Sequence, residues 1–155
     1  MIDTFTVNGF GDAVLWAGNF LLANRNEYGL KNEDMALIIV ARHFSTGYGY
    51  NNDMWAKYGA TLASRAPSAD GTKEPPKANP SAASIASLAN EGVRFAVCSM
   101  ATRRLAGMIT RASGGTADAA FAELSANLMS NARLVPAGIV AVNRAQERGY
   151  TLATA

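Results

Sequence analysis

Two hydrophobic patterns alternate along this chain. Over 13–22, Val14, Leu15, Ala17, Gly18, Leu21 and Leu22 recur at the three-and-four spacing of a helix, Asp12 is placed to cap its start, and Gly29 is a stop signal. Residues 35–41 form an unbroken apolar run of strand length, as in a strand buried on both faces, and His43 closes it. Tyr48 to Tyr50 read as a Gly/Tyr loop, after which Asn51 or Asn52 caps a short helix containing Trp55 and Tyr58. Residues 65–80 are rich in Pro, Ser, Lys and Gly and predict a long loop within one domain.

Beyond that loop the alternation resumes. A helix is predicted over 81–90 and ended by Gly92, followed by a strand over 93–98. Helices follow over 101–112, stopped by Gly114-Gly115, and over about 117–129, with Phe121, Leu124 and Leu128 on one face. Residues 132–136 read as a short strand, 138–148 as a helix closed by Gly149, and 150–154 as a last short strand. At the start only residues 2–7 are available for a first strand, which is therefore short or truncated. Strands that alternate with helices pair in parallel, because right-handed crossovers carry the chain back over the sheet. The expected fold is one α/β domain over 1–155, a three-layer α/β/α sandwich around a parallel sheet of about five strands.

Composition narrows the function classes. The chain has 155 residues, 49% hydrophobic, long enough for a real core. The charged fraction of 17% is below the roughly 25% of ordinary soluble domains, which points to surface covered in an oligomer. A net charge of +2 gives no footprint for nucleic acid, and no apolar run is long enough to span a membrane. One Cys and one His supply neither a disulfide nor a zinc-ligand spacing, so no metal or other cofactor is expected. Ser113-Gly114-Gly115-Thr116 lacks a Walker lysine and a preceding strand, and no Gly-x-Ser-x-Gly elbow is present.

Cys98 ends an apolar strand just ahead of a helix, at the sheet edge where parallel α/β folds place their chemistry. A thiol before a helix N-terminus feels a dipole that favours thiolate, while a lone Cys is equally a small buried hydrophobe. Arg103 and Arg104 fall in the first turn of that helix, where cations are unfavourable; either an anion is held there or both side chains turn away to solvent or an acidic partner. His43 ends a buried strand and should reach the same edge as Cys98, as a proton-handling neighbour or as a structural histidine. Pro136-Ala137-Gly138 follows a strand and opens a helix, so its backbone N–H groups would line a pocket or simply form a turn. Trp55, Lys57 and Tyr58 read first as core anchors or a subunit contact.

The run from Leu134 through Val135-Pro136-Ala137-Gly138 to Arg144-Ala145-Gln146-Glu147-Arg148-Gly149 resembles the "VPAGV…RAQE-G" ending of the DsrE/DsrF-like family of sulfur-metabolism proteins. Val93 to Ala101 resembles the family's cysteine strand, and Val40-Ala41-Arg42-His43 followed by Asp53-Met54-Trp55-Ala56-Lys57-Tyr58 is similar to the "RH…D-WKY" block of one subgroup. The resemblance extends from about Asp12 onward. It implies a five-stranded parallel DsrEFH-like sheet, assembly into homo-trimers or hexamers, and a bacterial sulfur-relay protein in which Cys98 carries sulfur as a persulfide between donor and acceptor proteins. It also implies, for the subgroup, an upstream twin-arginine signal and periplasmic location, and a cytoplasmic one where that signal is lacking. The alternative is a non-catalytic oligomeric binding or scaffold protein with a structural cysteine.

Overall fold

In a computed structural model of the chain, residues 1–63 and 74–155 are described; most of the predicted 65–80 loop lies outside them. Five strands, β1 (Ile2–Thr4), β2 (Ile38–Ala41), β3 (Arg94–Cys98), β4 (Ala132–Val135) and β5 (Ala153–Thr154), form one sheet in the order β4-β3-β2-β1-β5. Every pairing is parallel. The chain walks outward from β1 to β4 and then returns past β1 to lay down β5.

Among the described residues six α-helices connect the strands: α1 (Val7–Tyr28), α2 (Asn52–Leu62), α3 (Ala82–Asn90), α4 (Ser99–Ser113), α5 (Ala117–Ala126) and α6 (Gly138–Gln146). Strand side chains alternate between faces. Ile39, Ala41, Phe95 and Val97 join a core with Phe10, Ala13, Ala17 and Leu21 of α1, Ile85 and Leu88 of α3, and Ala106 and Ile109 of α4. On the opposite face Val40 and Ala96 pack with Val142 and Ala145 of α6. This is the three-layer α/β/α sandwich expected from the strand–helix alternation, thick on one side and a single helix deep on the other.

Several boundaries differ from the sequence expectation, each for a local reason. The first strand stops at Thr4 rather than running to Val7, because Thr6 caps α1 by accepting a hydrogen bond from the Gly9 N–H at 2.9 Å. Helix α1 thus starts five residues before Asp12, and glycines at positions 9 and 11 had obscured its periodicity. Gly9 is required there: a Cβ would meet the Ala155 backbone at 2.4 Å. Gly29, with φ of 65°, ends the helix as expected, and Asn51 rather than Asn52 caps α2. Helix α5 closes at Asn127, since Leu128 and Met129 turn to pair with Tyr50 and Gly49. The last strand shortens to two residues because the Tyr150 N–H is drawn back to the Ala145 carbonyl as α6 ends.

Helix α1 separates core from surface cleanly. Phe10 is fully buried and stacks on Tyr48 with ring centroids 4.8 Å apart, whereas Phe20 is 43% exposed. Phe10→Ala should therefore cost about 3–5 kcal/mol in urea unfolding, and Phe20→Ala less than about 1 kcal/mol. Equal losses at the two positions would contradict this packing.

Candidate functional site

The carboxyl edge of the sheet is where the chain's chemistry gathers, and the register fixes who stands beside whom. Thr4, Ala41, Val97 and Leu134 are aligned across four strands. One residue further, Cys98 pairs with Val135, and Arg42 follows Ala41 on the neighbouring strand. Alternation turns Cys98 and Arg42 to the α6 face, two residues beyond Ala96 and Val40. Adjacent parallel strands lie about 4.8 Å apart, so the thiol and the guanidinium stem are immediate neighbours.

Arg42 is held in place. Its Nε donates to Asp3 Oδ1 at 2.8 Å and its Nη2 to Asp3 Oδ2 at 2.7 Å, a bidentate pair between β2 and β1. Asp3 is buried and Arg42 nearly so, with side-chain exposures of 5% and 15%. The Phe5 ring lies 5.0 Å from the guanidinium carbon. Hydrogen bonding to Asp3 pushes the guanidinium pKa up, burial works against the rise, and the charges of Asp3 and Cys98 add to it. Gly138 is part of the same construction. A Cβ at that position would approach the Arg42 Cβ to 2.6 Å, so glycine is what lets the start of α6 close over Arg42.

Cys98 is the N-cap residue of the 15-residue helix α4, in extended conformation. The Thr102 hydroxyl donates to the Cys98 carbonyl at 2.9 Å and accepts from the buried Tyr50 hydroxyl at 2.7 Å, anchoring the strand-to-helix turn. The helix after β3 packs on the α1 face and the helix after β4 on the other, so connections leave these adjacent strands in opposite directions. That divergence marks the crevice position of open α/β sheets, and Cys98 stands at it. In this chain the residue is 7% exposed.

The other residues singled out from the sequence go elsewhere. His43 takes a left-handed backbone conformation, φ 52°, which swings the chain out of β2 into the 3-10 run His43–Gly49. Its side chain faces away from α6. With Phe44, Leu62, Ala101, Arg104, Leu105 and Met108 it lines a cavity of about 100 Å³ against α4, and Cys98 is not among the lining residues. Arg103 turns to α5, its guanidinium 4.1 Å above the Phe121 ring and 3.8 Å from Asp118. Pro136 ends β4, and Ala137 caps α6 in extended conformation. The structure thus brings Cys98 and Gly138 together around Arg42, joins His43 to Arg104 at a second place, and sends Arg103 to a third.

Trp55 is an anchor, 1% exposed, its indole N–H donating to the Gly47 carbonyl at 3.1 Å. Lys57 and the Tyr58 hydroxyl both bind Glu123 of α5, at 2.5 and 2.6 Å, and together hold that carboxyl below its usual range. Among the described residues no three His, Cys, Asp or Glu side chains group as metal ligands, and no helix is long and apolar enough to cross a membrane. Arg42 and Asp3 are the site residues missed from the sequence. The usable signal was the period-two pattern, since residues two beyond Val40 and Ala96 must share a face.

Compared with models of known families and with curated proteins, the chain matches none. Among solved structures it is similar to MTH1491, a protein of unknown function from Methanobacterium thermoautotrophicum, with 16% identity and a TM-score of 0.51 over 99% of this chain and 96% of that one. The likeness establishes a shared fold.

The ion pair gives a sharp test. Arg42→Ala leaves Asp3 buried without its partner and should cost about 3–5 kcal/mol in urea unfolding. Adding Asp3→Asn to that variant should recover part of the loss, so the two changes are strongly non-additive. Additive effects would mean that the two side chains do not act as a unit.

Proposed function

We infer that this chain is a sulfur-relay protein that accepts sulfane sulfur on Cys98 and passes it on as a persulfide. The observation that carries the reading is the row formed by Cys98 and Arg42 at the carboxyl edge of the sheet: a thiol at a helix N-terminus, with the buried Arg42 on the neighbouring strand close enough for its charge to be felt. Both bring positive charge toward the sulfur. Asp3 engages Nε and one Nη of Arg42, leaving further N–H groups for an anion there. The resemblance of 93–101 and 134–150 to the DsrE/DsrF-like family supports the same assignment.

The chemistry is thiol exchange. The Cys98 thiolate attacks the outer sulfur of a donor persulfide, a new S–S bond forms, the donor's S–S bond breaks, and the donor leaves as a thiolate. An acceptor thiolate then attacks the outer sulfur on Cys98 and Cys98 is released as thiolate, so no external oxidant or reductant is consumed. Arg42 stabilises the negative charge on sulfur at each stage. We extend the proposal to assembly. Phe5, Phe44, Met100, Ile139 and Val140 are exposed apolar residues that follow the ends of β1 to β4, a rim suited to contact between copies in a homo-oligomer.

One observation favours a second reading, a non-catalytic scaffold with a packed cysteine: the 7% exposure of Cys98. Mass spectrometry after incubation with polysulfide separates the two. The relay reading expects a gain of one sulfur mass, absent in Cys98→Ser and slowed at least tenfold in Arg42→Gln; no adduct with polysulfide or thiosulfate selects the scaffold. Light scattering at micromolar concentration should give a mass that is a multiple of the single chain, three or six copies by the family resemblance. A monomer would remove the assembly part.

A further inference from the structure

Helix α1 carries a second apolar stripe, which no described residue covers. Its inward stripe, Phe10, Ala13, Ala17 and Leu21, is buried in the core. Gly11, Leu15, Gly18 and Leu22 form another, roughly 120° around the helix, at the alternating four-and-three spacing of a helix-pairing seam. Leu15 is 60% and Leu22 51% exposed, and among the described residues nothing lies within 4 Å of where a Cβ on Gly11 or Gly18 would stand.

The stripe is complementary to itself. Large and small positions alternate along it, so a second α1 laid antiparallel seats each leucine over a glycine. The register that sets Leu15 against Gly18 of the second copy also sets Leu22 against its Gly11, and a two-fold axis repeats both contacts. Sliding the pair by four residues would set Leu15 against Leu22 and lose the glycine seats. The favoured register also brings Val7 of one copy level with Asn26 of the other. The two helices then overlap over almost their whole length, with opposite dipole ends together.

The surface around the stripe is nearly free of charge. Asp12, Arg25 and Glu27 are the charged residues of α1, and Arg25 is engaged by Glu91 and Asn32. The neighbouring α3 has none, and its exposed residues Ala83, Ser84, Ala86 and Ser87 are small. In the paired register the two Asp12 residues stand about 14 Å apart along the axis, beyond the screening length of about 8 Å at physiological salt. Such a face offers nothing to an acidic or basic partner, and depletion of charge marks the centre of a protein interface. A stable dimer needs about 800 Å² from each copy, some 20 residues a side, and the outward sides of α1 and α3 supply roughly that number. We propose that α1 is a two-fold dimerisation face, with α1 of a second copy of this chain antiparallel on the stripe of Gly11, Leu15, Gly18 and Leu22. It is distinct from the rim at the strand ends and from Cys98, and it depends on neither.

Cross-linking reads the register directly. A C98S background removes the chain's only cysteine, which also keeps the result separate from the fate of the persulfide reading. In it, G11C and L22C chains that are mixed, exchanged and oxidised should form the mixed disulfide at least tenfold faster than either chain links to itself. Each of these positions faces the other, whereas its own counterpart lies about 16 Å away along the axis, too far for a disulfide. L15E should halve the mass that light scattering gives for the parent at micromolar concentration. It should keep the parent's circular dichroism, since Leu15 lies outside the core. A parent that is monomeric, no mixed disulfide, a G11C chain that links to itself as fast as to L22C, or an L15E variant with the parent's mass would each overturn the proposal.

Discussion

The bidentate pair between Arg42 and Asp3 organises the functional edge of this protein. Two charges in a largely buried setting are tolerable only when their geometry is good and their remaining hydrogen-bonding capacity is used. Here both carboxylate oxygens are engaged, the guanidinium is roofed by Phe5, and the start of α6 closes over it where only a glycine fits. The pair ties β1 to β2 just where their hydrogen-bonded ladder ends, and it fixes the cation that stands beside Cys98. Sheet edge, helix entry and thiol environment are therefore consequences of one interaction.

The end of β2 also divides the edge into two chemistries. Arg42 continues the strand's alternation and turns to α6; His43 breaks it with a left-handed conformation and turns to α4. Successive residues thereby serve opposite faces of the sheet. On one face an Arg stands beside a thiol at the point where the connections after β3 and β4 diverge; on the other an Arg and a His border an apolar cavity. A thin α6 layer on the first face and a thick helical layer on the second give the two places different depth and access.

The apolar surface has its own order. Exposed Phe5, Phe44, Met100, Ile139 and Val140 lie near the ends of successive strands, and Leu15, Trp16, Phe20 and Leu22 lie along the outer side of α1. Neither set is needed to close the two cores, which are already filled by buried side chains.

The sequence by itself determined the fold class, because alternating apolar runs and helical stripes leave a parallel sandwich as the consistent arrangement. It also located Cys98 at the carboxyl end of a buried strand, the position it holds at the start of α4. Boundaries were legible where a cap or a φ-positive glycine spoke for itself, as at Gly29 and Asn51, and misread where tertiary needs overrode pattern, as at Gly9. Which side chains meet at the edge was decided only by the tertiary structure. Asp3 and Arg42 are 39 positions apart and become partners through strand register, while Arg103 and Arg104, adjacent in sequence, diverge by about 100° around α4 and reach different neighbours. Local pattern encodes period and burial; register and helix rotation are set by the packing of the whole chain, and the site is built from those two.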